Sequence, residues 1–347
     1  MLCAGLAFAL FCQLPGCDSR ESAPPVVVYV SADESIARPI LHAFEQRTGI
    51  EVRPLFDTEA TKTTGLASRL ESERERPRAD LFWSSECFRT IELDENGVLA
   101  PLEGAPFDTW MSEMPGDWRG EQGTWFAFAP RARVIAYAPS RLTAEDVPRR
   151  WMEMTDPRWR GQVAMADPRF GTTSGHMGAI HAYWTARGEP ERFDAWIDGL
   201  STNDVAILTS GNSGVVDGVA SGEYALGMTD TDDVWAAQAL GRDVALVYPR
   251  HAEEGQAGGG TLLVPNTVAR IKGGPNAEGA HALAAWLLSE EVEAMLAASS
   301  SHNIPLRADA GTYAVEDPLE VDLAEAARLM PAAVQRARMR LGGGGDS

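Results

Sequence analysis

The chain alternates between short apolar runs and longer segments with helical spacing. Residues 26–31 form an apolar, β-branched run, residues 36–48 carry apolar side chains at helical spacing, and residues 50–56 form a second apolar run. Continuous apolar runs of this length predict buried strands, and a period near 3.6 predicts the helix between them. The first sixty residues therefore predict a β-α-β unit.

The same pattern continues to the end of the chain and predicts an α/β fold. Further strands are predicted at residues 79–85, 125–138, 163–166, 205–208, 224–228, 244–248 and 261–264. Helices are predicted at residues 66–76, 177–187, 190–200, 215–220, 279–296 and 322–341, with another beginning at Val234, and a helix followed by a turn is predicted at 151–161. The long extended run at 125–138 predicts a crossover into a second lobe, and the glycine-rich turn at 257–260 is a candidate hinge.

Polar side chains follow each of the first three predicted strands. They are Asp33 and Glu34 after the first strand, Glu59 and Lys62 after the second, and Ser85 and Glu86 after the third. Ligands of open α/β sheets bind at the carboxyl ends of the strands, so these residues are candidate ligand contacts.

A cluster of carboxylates follows the small, apolar strand at residues 224–228. Asp230, Asp232 and Asp233 come just past its end, and a helix pattern that includes Trp235 begins directly after them. One aspartate can cap that helix, but capping needs only one carboxylate. The cluster therefore predicts a binding site, with Trp235 as a wall of its pocket.

Two turns rich in glycine and hydroxyl groups precede predicted helices. Residues 171–175 contain Thr173, Ser174 and Gly175, and residues 210–214 contain Asn212. Free backbone N–H groups at a helix N-terminus favour anions, so these turns predict an oxyanion cradle. Neither turn has the lysine of a nucleotide-binding P-loop.

Composition restricts the partners of the chain. Its 347 residues are 44% hydrophobic, enough for two lobes of ordinary size, and its net charge is -20. This charge excludes electrostatic binding of nucleic acid and favours a cationic ligand.

The N-terminus predicts export. Residues 2–14 are apolar but too short for a permanent membrane span, and they end at Leu14-Pro15-Gly16-Cys17, which resembles a bacterial lipobox. This resemblance implies that residues 1–17 are a signal peptide, that Cys17 carries lipid, and that the protein is periplasmic or on the cell surface. The alternative is a buried N-terminal strand or helix. Cys87 would then be alone in the mature chain, which excludes an intramolecular disulfide.

Five segments together resemble the bacterial extracellular solute-binding proteins of ABC importers, in the iron(III)-type branch of the type II periplasmic-binding fold. They are VVVYVSADESIARPILHAFEQRTGIEV, RADLFWSSE, RVIAYAPSRLTAEDVPRRWMEMTDPRWRGQVAMADP, TSGNSGVVDGVASGEYALGMTDTDD and LLVPNTVARIKGGPNAEGAHALAAWLLSEE. The resemblance implies two lobes, each a mixed, mostly parallel sheet flanked by helices, joined by extended hinge strands. It also implies a small ligand bound by hinge closure, an inner-membrane ABC permease as partner, and a monomer with no enzymatic activity and no required cofactor.

The implied domain boundaries follow from the same resemblance. They are a tether at 18–25, a first lobe at 26–128 and 262–315, a second lobe at 129–261, a C-terminal helical segment at 316–341 and a disordered tail at 342–347.

Ferric-binding members of that branch hold iron with a histidine, a glutamate and two adjacent tyrosines. In this sequence Asp33 stands at the histidine position and Ser85, beside Glu86, at the glutamate position. Asp232 and Asp233 stand at the positions of the two tyrosines. The companion-anion positions keep hydroxyl, glycine and amide groups, at Thr173, Ser174, Gly175 and Asn212.

These substitutions leave two ligand classes open. Oxygen ligands from Asp33, Glu86, Asp232 and Asp233 suit a hard cation such as iron, manganese or calcium. The same carboxylates could instead bind an amine, while the hydroxyl-rich turns and Lys62 bind a phosphate or phosphonate.

A hydrolase and an inert surface lipoprotein are the rival classes. Ser174, His176 and His181 supply hydrolase components, but both histidines lie in a predicted apolar helix and no G-x-S-x-G motif is present. An inert lipoprotein predicts no affinity for any small molecule.

Overall fold

A computed structural model describes residues 24–57, 63–253, 255–307 and 313–342. The strands of this part of the chain are β1 (Val26–Val30), β2 (Val52–Phe56), β3 (Leu81–Ser84), β4 (Leu99–Ala100), β5 (Trp125–Tyr137), β6 (Val163–Ala166), β7 (Ala206–Leu208), β8 (Leu226–Asp230), β9 (Ala245–Val247) and β10 (Leu263–Ile271). The α-helices are α1 (Glu34–Thr48), α2 (Thr64–Ser72), α3 (Phe88–Glu95), α4 (Phe107–Glu113), α5 (Gly171–Ala186), α6 (Glu191–Thr202), α7 (Gly211–Ala220), α8 (Thr231–Ala239), α9 (Ala277–Leu287), α10 (Glu290–Ala298) and α11 (Leu323–Leu341).

The strands form one path, in the order β2-β1-β3-β10-β5-β8-β6-β7, with β4 beside β10 and β9 beside β5. The first lobe pairs β1 in parallel with β2 and β3, and the second pairs β6 in parallel with β7 and β8. Strand β5 belongs to both lobes, because its first part pairs with β10 and its last five residues pair with β8 and β9. The predicted α/β fold with two lobes joined by an extended strand is therefore confirmed, while the domain boundaries stay a prediction.

The amphipathic helices cover the sheet and close the cores. Helices α1, α9 and α10 bury one face of the first-lobe sheet around Phe44, Trp83 and Leu287. On the other side, a single core runs from Phe88 of the first lobe to Trp196 of the second, and α11 packs against both α3 and α5. Buried apolar surface contributes about 25 cal/mol per Å² to stability. The core that the two lobes share therefore helps to hold them together.

Several predicted elements differ from the observed ones. The predicted helix at 279–296 breaks at Leu288, because Ser289 starts α10 by accepting a hydrogen bond from the Val292 N–H (3.3 Å). The segment 151–161, predicted as a helix and a turn, contains two short 3-10 helices, at Trp151–Thr155 and Pro157–Trp159. Helices α3 and α4 were not predicted.

The turn at 257–260 is packed tightly against the chain. The Gly259 carbonyl accepts hydrogen bonds from the N–H groups of His251 (2.7 Å) and Ala252 (3.0 Å). A Cβ at Gly260 would overlap the Asp317 carbonyl oxygen. These glycines allow the backbone to approach closely, and the role of this turn as a hinge stays a prediction.

Candidate functional site

The carboxyl ends of the parallel strands of both lobes meet where β5 crosses between them. Ser85 follows β3 of the first lobe, Asp230 ends β8 of the second, and Arg131 projects from β5 between the two. They line a main cavity of about 50 Å³. An adjoining cavity of about 20 Å³ shares Ser85, Arg131 and Asp232 with it and includes Asp33. A cavity measured in this way needs about 10–15 Å³ to hold one water molecule, so the main cavity has room for a small ion and a water molecule.

Arg131 links the two lobes at the floor of this site. Its side chain is 8% exposed, its Nη2 donates to the Ser85 carbonyl of the first lobe, and its Nη1 lies 3.3 Å from Oδ2 of Asp232 in the second. Burial disfavours the charged guanidinium, yet nearby aspartates outweigh burial and raise the pKa of Arg131 above its ordinary value. In order of effect these aspartates are Asp232, Asp230, Asp233 and Asp33.

Asp230 is enclosed by hydrogen-bond donors from three elements. Its Oδ1 accepts from Nη1 of Arg133 on β5 (2.8 Å), and its Oδ2 accepts from Nδ2 of Asn212 on α7 (2.8 Å) and from Oγ1 of Thr172 on α5. Nε of Arg131 lies 3.5 Å from the same Oδ2. Both carboxylate oxygens are therefore occupied, and Asp230 is only 2% exposed.

Asp232 and Asp233 lie in the first turn of α8, beside this buried carboxylate. One ligand atom from each of Asp230, Asp232 and Asp233 can be chosen so that all lie within 4.8 Å of one another. The side chain of Asp232 is 18% exposed, and Oδ2 of Asp233 accepts from Oγ1 of Thr229 (3.4 Å). Their position at a helix N-terminus stabilises both negative charges.

The site carries a net negative charge. Four aspartates face the guanidinium groups of Arg131 and Arg133, which leaves two unbalanced negative charges. A chain with a net charge of -20 adds to this field. A cation is therefore attracted to the site more strongly than an anion.

The structure brings together seven of the predicted site residues in these two cavities. They are Asp33, Ser85, Thr173, Asn212, Asp230, Asp232 and Asp233. The chain achieves this because α5, α7 and α8 all begin at the carboxyl ends of second-lobe strands, while Asp33 and Ser85 follow first-lobe strands.

Five other predicted residues do not line these cavities. Glu86 turns away to accept hydrogen bonds from the N–H groups of Phe88 (2.6 Å) and Arg89 (3.2 Å) at the start of α3. Burial raises the pKa of Glu86 to about 7. Glu34 is on the surface in an ion pair with Arg38.

The other three residues make contacts within the fold instead of lining the cavities. They are Ser174, Gly175 and Trp235. Ser174 donates its hydroxyl to the Gly171 carbonyl (2.7 Å) inside the first turn of α5, which begins earlier than predicted. Gly175 lies against the ring of Phe88, where a Cβ would overlap the ring. Trp235 packs edge-to-face on Tyr313, with 5.5 Å between ring centroids. The predicted residues Cys17, Glu59 and Lys62 lie outside the described residues.

Sequence reasoning missed Arg131, Arg133 and Thr172. The signal was present, because two arginines interrupt the otherwise apolar segment WFAFAPRARVIAYA. A charged side chain within a buried strand needs a partner, so the pair indicated a polar site. Thr172 was included in the first glycine-rich turn but was not singled out.

The predicted hydrolase components do not form a catalytic group. Nε2 of His176 lies 3.1 Å from Nε2 of His251, while His181 packs on Phe193 with 5.0 Å between ring centroids. His176 and His181 are both buried, and the Ser174 hydroxyl donates to the Gly171 carbonyl instead of to either of them.

Among the residues that the structure describes, no helix combines the length and the apolar character needed to cross a membrane.

Comparison with known proteins gives consistent matches along most of the chain. The family model described as bacterial extracellular solute-binding protein matches residues 79–330. The iron uptake protein A1 of Synechocystis is 26% identical over 291 residues, which are 82% of this chain and 76% of that protein. The fold is similar to that of iron-bound HitA from Pseudomonas aeruginosa, with a TM-score of 0.75, 22% identity, and coverage of 90% of this chain and 99% of HitA.

The fold is also similar to that of AfuA from Actinobacillus pleuropneumoniae, a structure with fructose-6-phosphate bound. The TM-score is 0.75 at 17% identity, and the match covers 92% of this chain and 99% of AfuA. At these identities the solved structures establish the type II periplasmic-binding fold alone. The family match spans well over half of the chain, and this chain therefore belongs to the bacterial extracellular solute-binding proteins.

Proposed function

We propose that this protein is the substrate-binding component of an ABC importer and that it captures an iron-type metal ion between its lobes. It acts as a monomer in the periplasm or at the cell surface and presents its ligand to an inner-membrane permease. Its part is binding and delivery, without chemistry on the ligand. The metal is the cargo of this protein.

The carboxylate cluster carries the proposal. Asp232 and Asp233 offer oxygen ligands beside Asp230 within a radius suited to one ion. Hard cations such as ferric iron, manganese and calcium prefer such ligands, and the unbalanced negative charge of the site favours any of them. The name of the Synechocystis relative, an iron uptake protein, supports iron among these metals.

Asp33 gives the first lobe a carboxylate beside the same cluster. It lines the adjoining cavity with Asp232, and a further cavity with Asp232 and Asp233. A cation between Asp33 and the α8 aspartates would reduce repulsion between the lobes. The ligand would thereby favour the closed arrangement that a permease recognises.

An amine-bearing ligand is the second candidate. Arg131 already places N–H donors against Asp232 and Asp230, so the carboxylates hold a nitrogen cation in this structure. A primary or quaternary amine could use the same carboxylates. A phosphorylated ligand, for which AfuA offers a structural parallel, would need the helix N-termini of α5 and α7, where Thr172 and Asn212 already donate to Asp230.

Calorimetric titration of the purified, metal-stripped protein tests the proposal. We expect ferric iron, supplied as a weak chelate, to bind, and the double variant Asp232→Asn with Asp233→Asn to lose at least tenfold in affinity. The control is Asp198→Asn with Asp204→Asn, which removes two carboxylates that are 61% and 72% exposed on the surface. This control has the same change in charge and should bind as the wild type does.

Three outcomes would contradict the proposal. They are the absence of binding of iron, manganese and calcium, an unchanged affinity in the double variant, and binding of an amine or sugar phosphate without any metal. The last outcome would assign the cleft to an organic solute.

A further inference from the structure

The ends of two helices and one buried arginine form an oxyanion cradle in the second lobe. Helix α5 contributes Thr172 in its first turn, helix α7 contributes Asn212 in its first turn, and β5 contributes Arg133, which is completely buried. Hydroxyl, amide and guanidinium donors that converge at helix N-termini match a phosphate or carboxylate group. By itself, this donor set suits an anionic ligand.

The carboxylate of Asp230 fills that cradle. Arg133 Nη1 and Asn212 Nδ2 each lie 2.8 Å from a different oxygen of Asp230, and the Thr172 hydroxyl donates to the second oxygen. The three donors also contact one another, because Arg133 Nη1 lies 3.3 Å from Oγ1 of Thr172 and Asn212 Nδ2 lies 3.0 Å from it. The carboxylate of Asp230 thus accepts from all three side chains, and a second oxyanion would have to compete with it for these donors.

The backbone explains why Asp230 reaches this position. Asp230 is the last residue of β8, it pairs with Arg133 of β5 in the antiparallel ladder, and it is followed at once by α8. Directly paired residues bring their side chains within a few ångströms on the same face of a sheet. The ion pair between Asp230 and Arg133 is therefore part of the sheet, and ligand binding is not needed to form it.

We propose that Asp230 is a built-in substitute for a ligand oxyanion and a specificity residue of this protein. Its carboxylate excludes phosphate and phosphorylated solutes from the cradle and reserves the cleft for a cation that binds without an accompanying oxyanion. The cation half of this inference rests on the proposed function, whereas the exclusion of phosphate does not.

Phosphate titration of three proteins tests the inference. The proteins are the wild type, Asp230→Ala, and the surface control Asp198→Ala, each followed by thermal unfolding in inorganic phosphate and in chloride of equal ionic strength. We expect Asp230→Ala to unfold at a lower temperature than the wild type in chloride. Phosphate should raise its melting temperature by about 2 °C or more, because it binds only the native state. The wild type and the control should not respond to phosphate.

A variant that fails to fold in chloride still gives a result. Asp230→Ala is then refolded from urea in phosphate and in chloride, and recovery of folded protein in phosphate alone supports the inference. Phosphate binding by the wild type, or the absence of any phosphate effect on the melting temperature or refolding of Asp230→Ala, would overturn it.

A metal titration with and without phosphate separates this inference from the proposed function. We expect the wild type to bind ferric iron, supplied as the same weak chelate, with the same affinity in the presence and in the absence of phosphate. An increase of tenfold or more with phosphate would overturn the inference while leaving the metal function in place. If the wild type binds no metal but Asp230→Ala gains phosphate binding, the proposed function fails and the assignment of Asp230 holds.

Discussion

Nη1 of Arg131 lies 3.3 Å from Oδ2 of Asp232, and the guanidinium thus holds the position beside the α8 carboxylates that a bound cation would share. The protein contains its own counter-ion for the site. A metal must therefore bind against the repulsion of a fixed positive charge, or displace that charge from Asp232.

Arg131→Met should bind metal about tenfold more tightly than the wild type, since a unit charge at this range contributes on the order of 1–2 kcal/mol. The apo variant should be less stable by about 3 kcal/mol, because the aspartates lose a buried partner. Calorimetry and urea unfolding measure the two effects, with Arg38→Met, whose side chain is 59% exposed, as the control. Weaker metal binding by Arg131→Met would indicate that Arg131 supports the ligand instead of opposing it.

Glu86→Gln should leave the metal affinity within about threefold of the wild type. The carboxylate faces the N-terminus of α3, and a Gln oxygen can still accept from the Phe88 N–H. Metal titration of Glu86→Gln is compared with metal titration of the single variant Asp233→Asn, which removes a proposed ligand. A tenfold loss of metal affinity in Glu86→Gln would indicate that Glu86 is a metal ligand after all.

Gly175→Ala should destabilise the protein by about 1–3 kcal/mol, because its Cβ would overlap the ring of Phe88 where α5 meets α3. Gly116→Ala is the matched control, since a Cβ there has no atom within 4 Å. Addition of Phe88→Leu to Gly175→Ala should recover part of the loss. Additive losses in the double variant would exclude this contact as the cause.

The buried pair of His176 and His251 should make the protein sensitive to acid. Burial lowers the pKa of His251 to about 4, and its Nδ1 donates to the Gly260 carbonyl (2.7 Å), which leaves Nε2 as the acceptor for His176. The unfolded chain binds a proton near pH 6.5 and the folded protein only near pH 4. Stability from neutral His251 is therefore complete above pH 6.5 and is lost as the pH falls toward 4.

The free energy of unfolding of His251→Gln, measured against that of the wild type, isolates this contribution. The difference in free energy of unfolding between the wild type and His251→Gln should fall by about 2–3 kcal/mol from pH 7 to pH 4.5. The comparison is needed because the raised pKa of Glu86 gives the opposite slope, with stability lost as the pH rises through 7. The exposed His42→Gln should follow the wild type, and a constant gap for His251→Gln would refute the assignment.

The sequence by itself determined the fold class and the position of the candidate site. Apolar runs such as 26–31 have one stable environment, the interior of a sheet, and polar residues directly after them must lie at its edge. For this reason Asp33, Ser85, Asn212 and the three α8-proximal aspartates were predictable. The strongly acidic composition also favours a cation over an anion as the ligand.

Only the tertiary structure decided which of these side chains meet. A strand pattern does not specify which strand lies beside β5, so the pairing of Arg133 with Asp230 followed from sheet order. Likewise, Glu86 and Ser174 form hydrogen bonds with nearby backbone groups instead of facing the cavity. Residue type alone does not predict these bonds, because they depend on the local backbone geometry. Buried charges and donors are fixed by partners distant in the chain, and those contacts exist only after the lobes have packed.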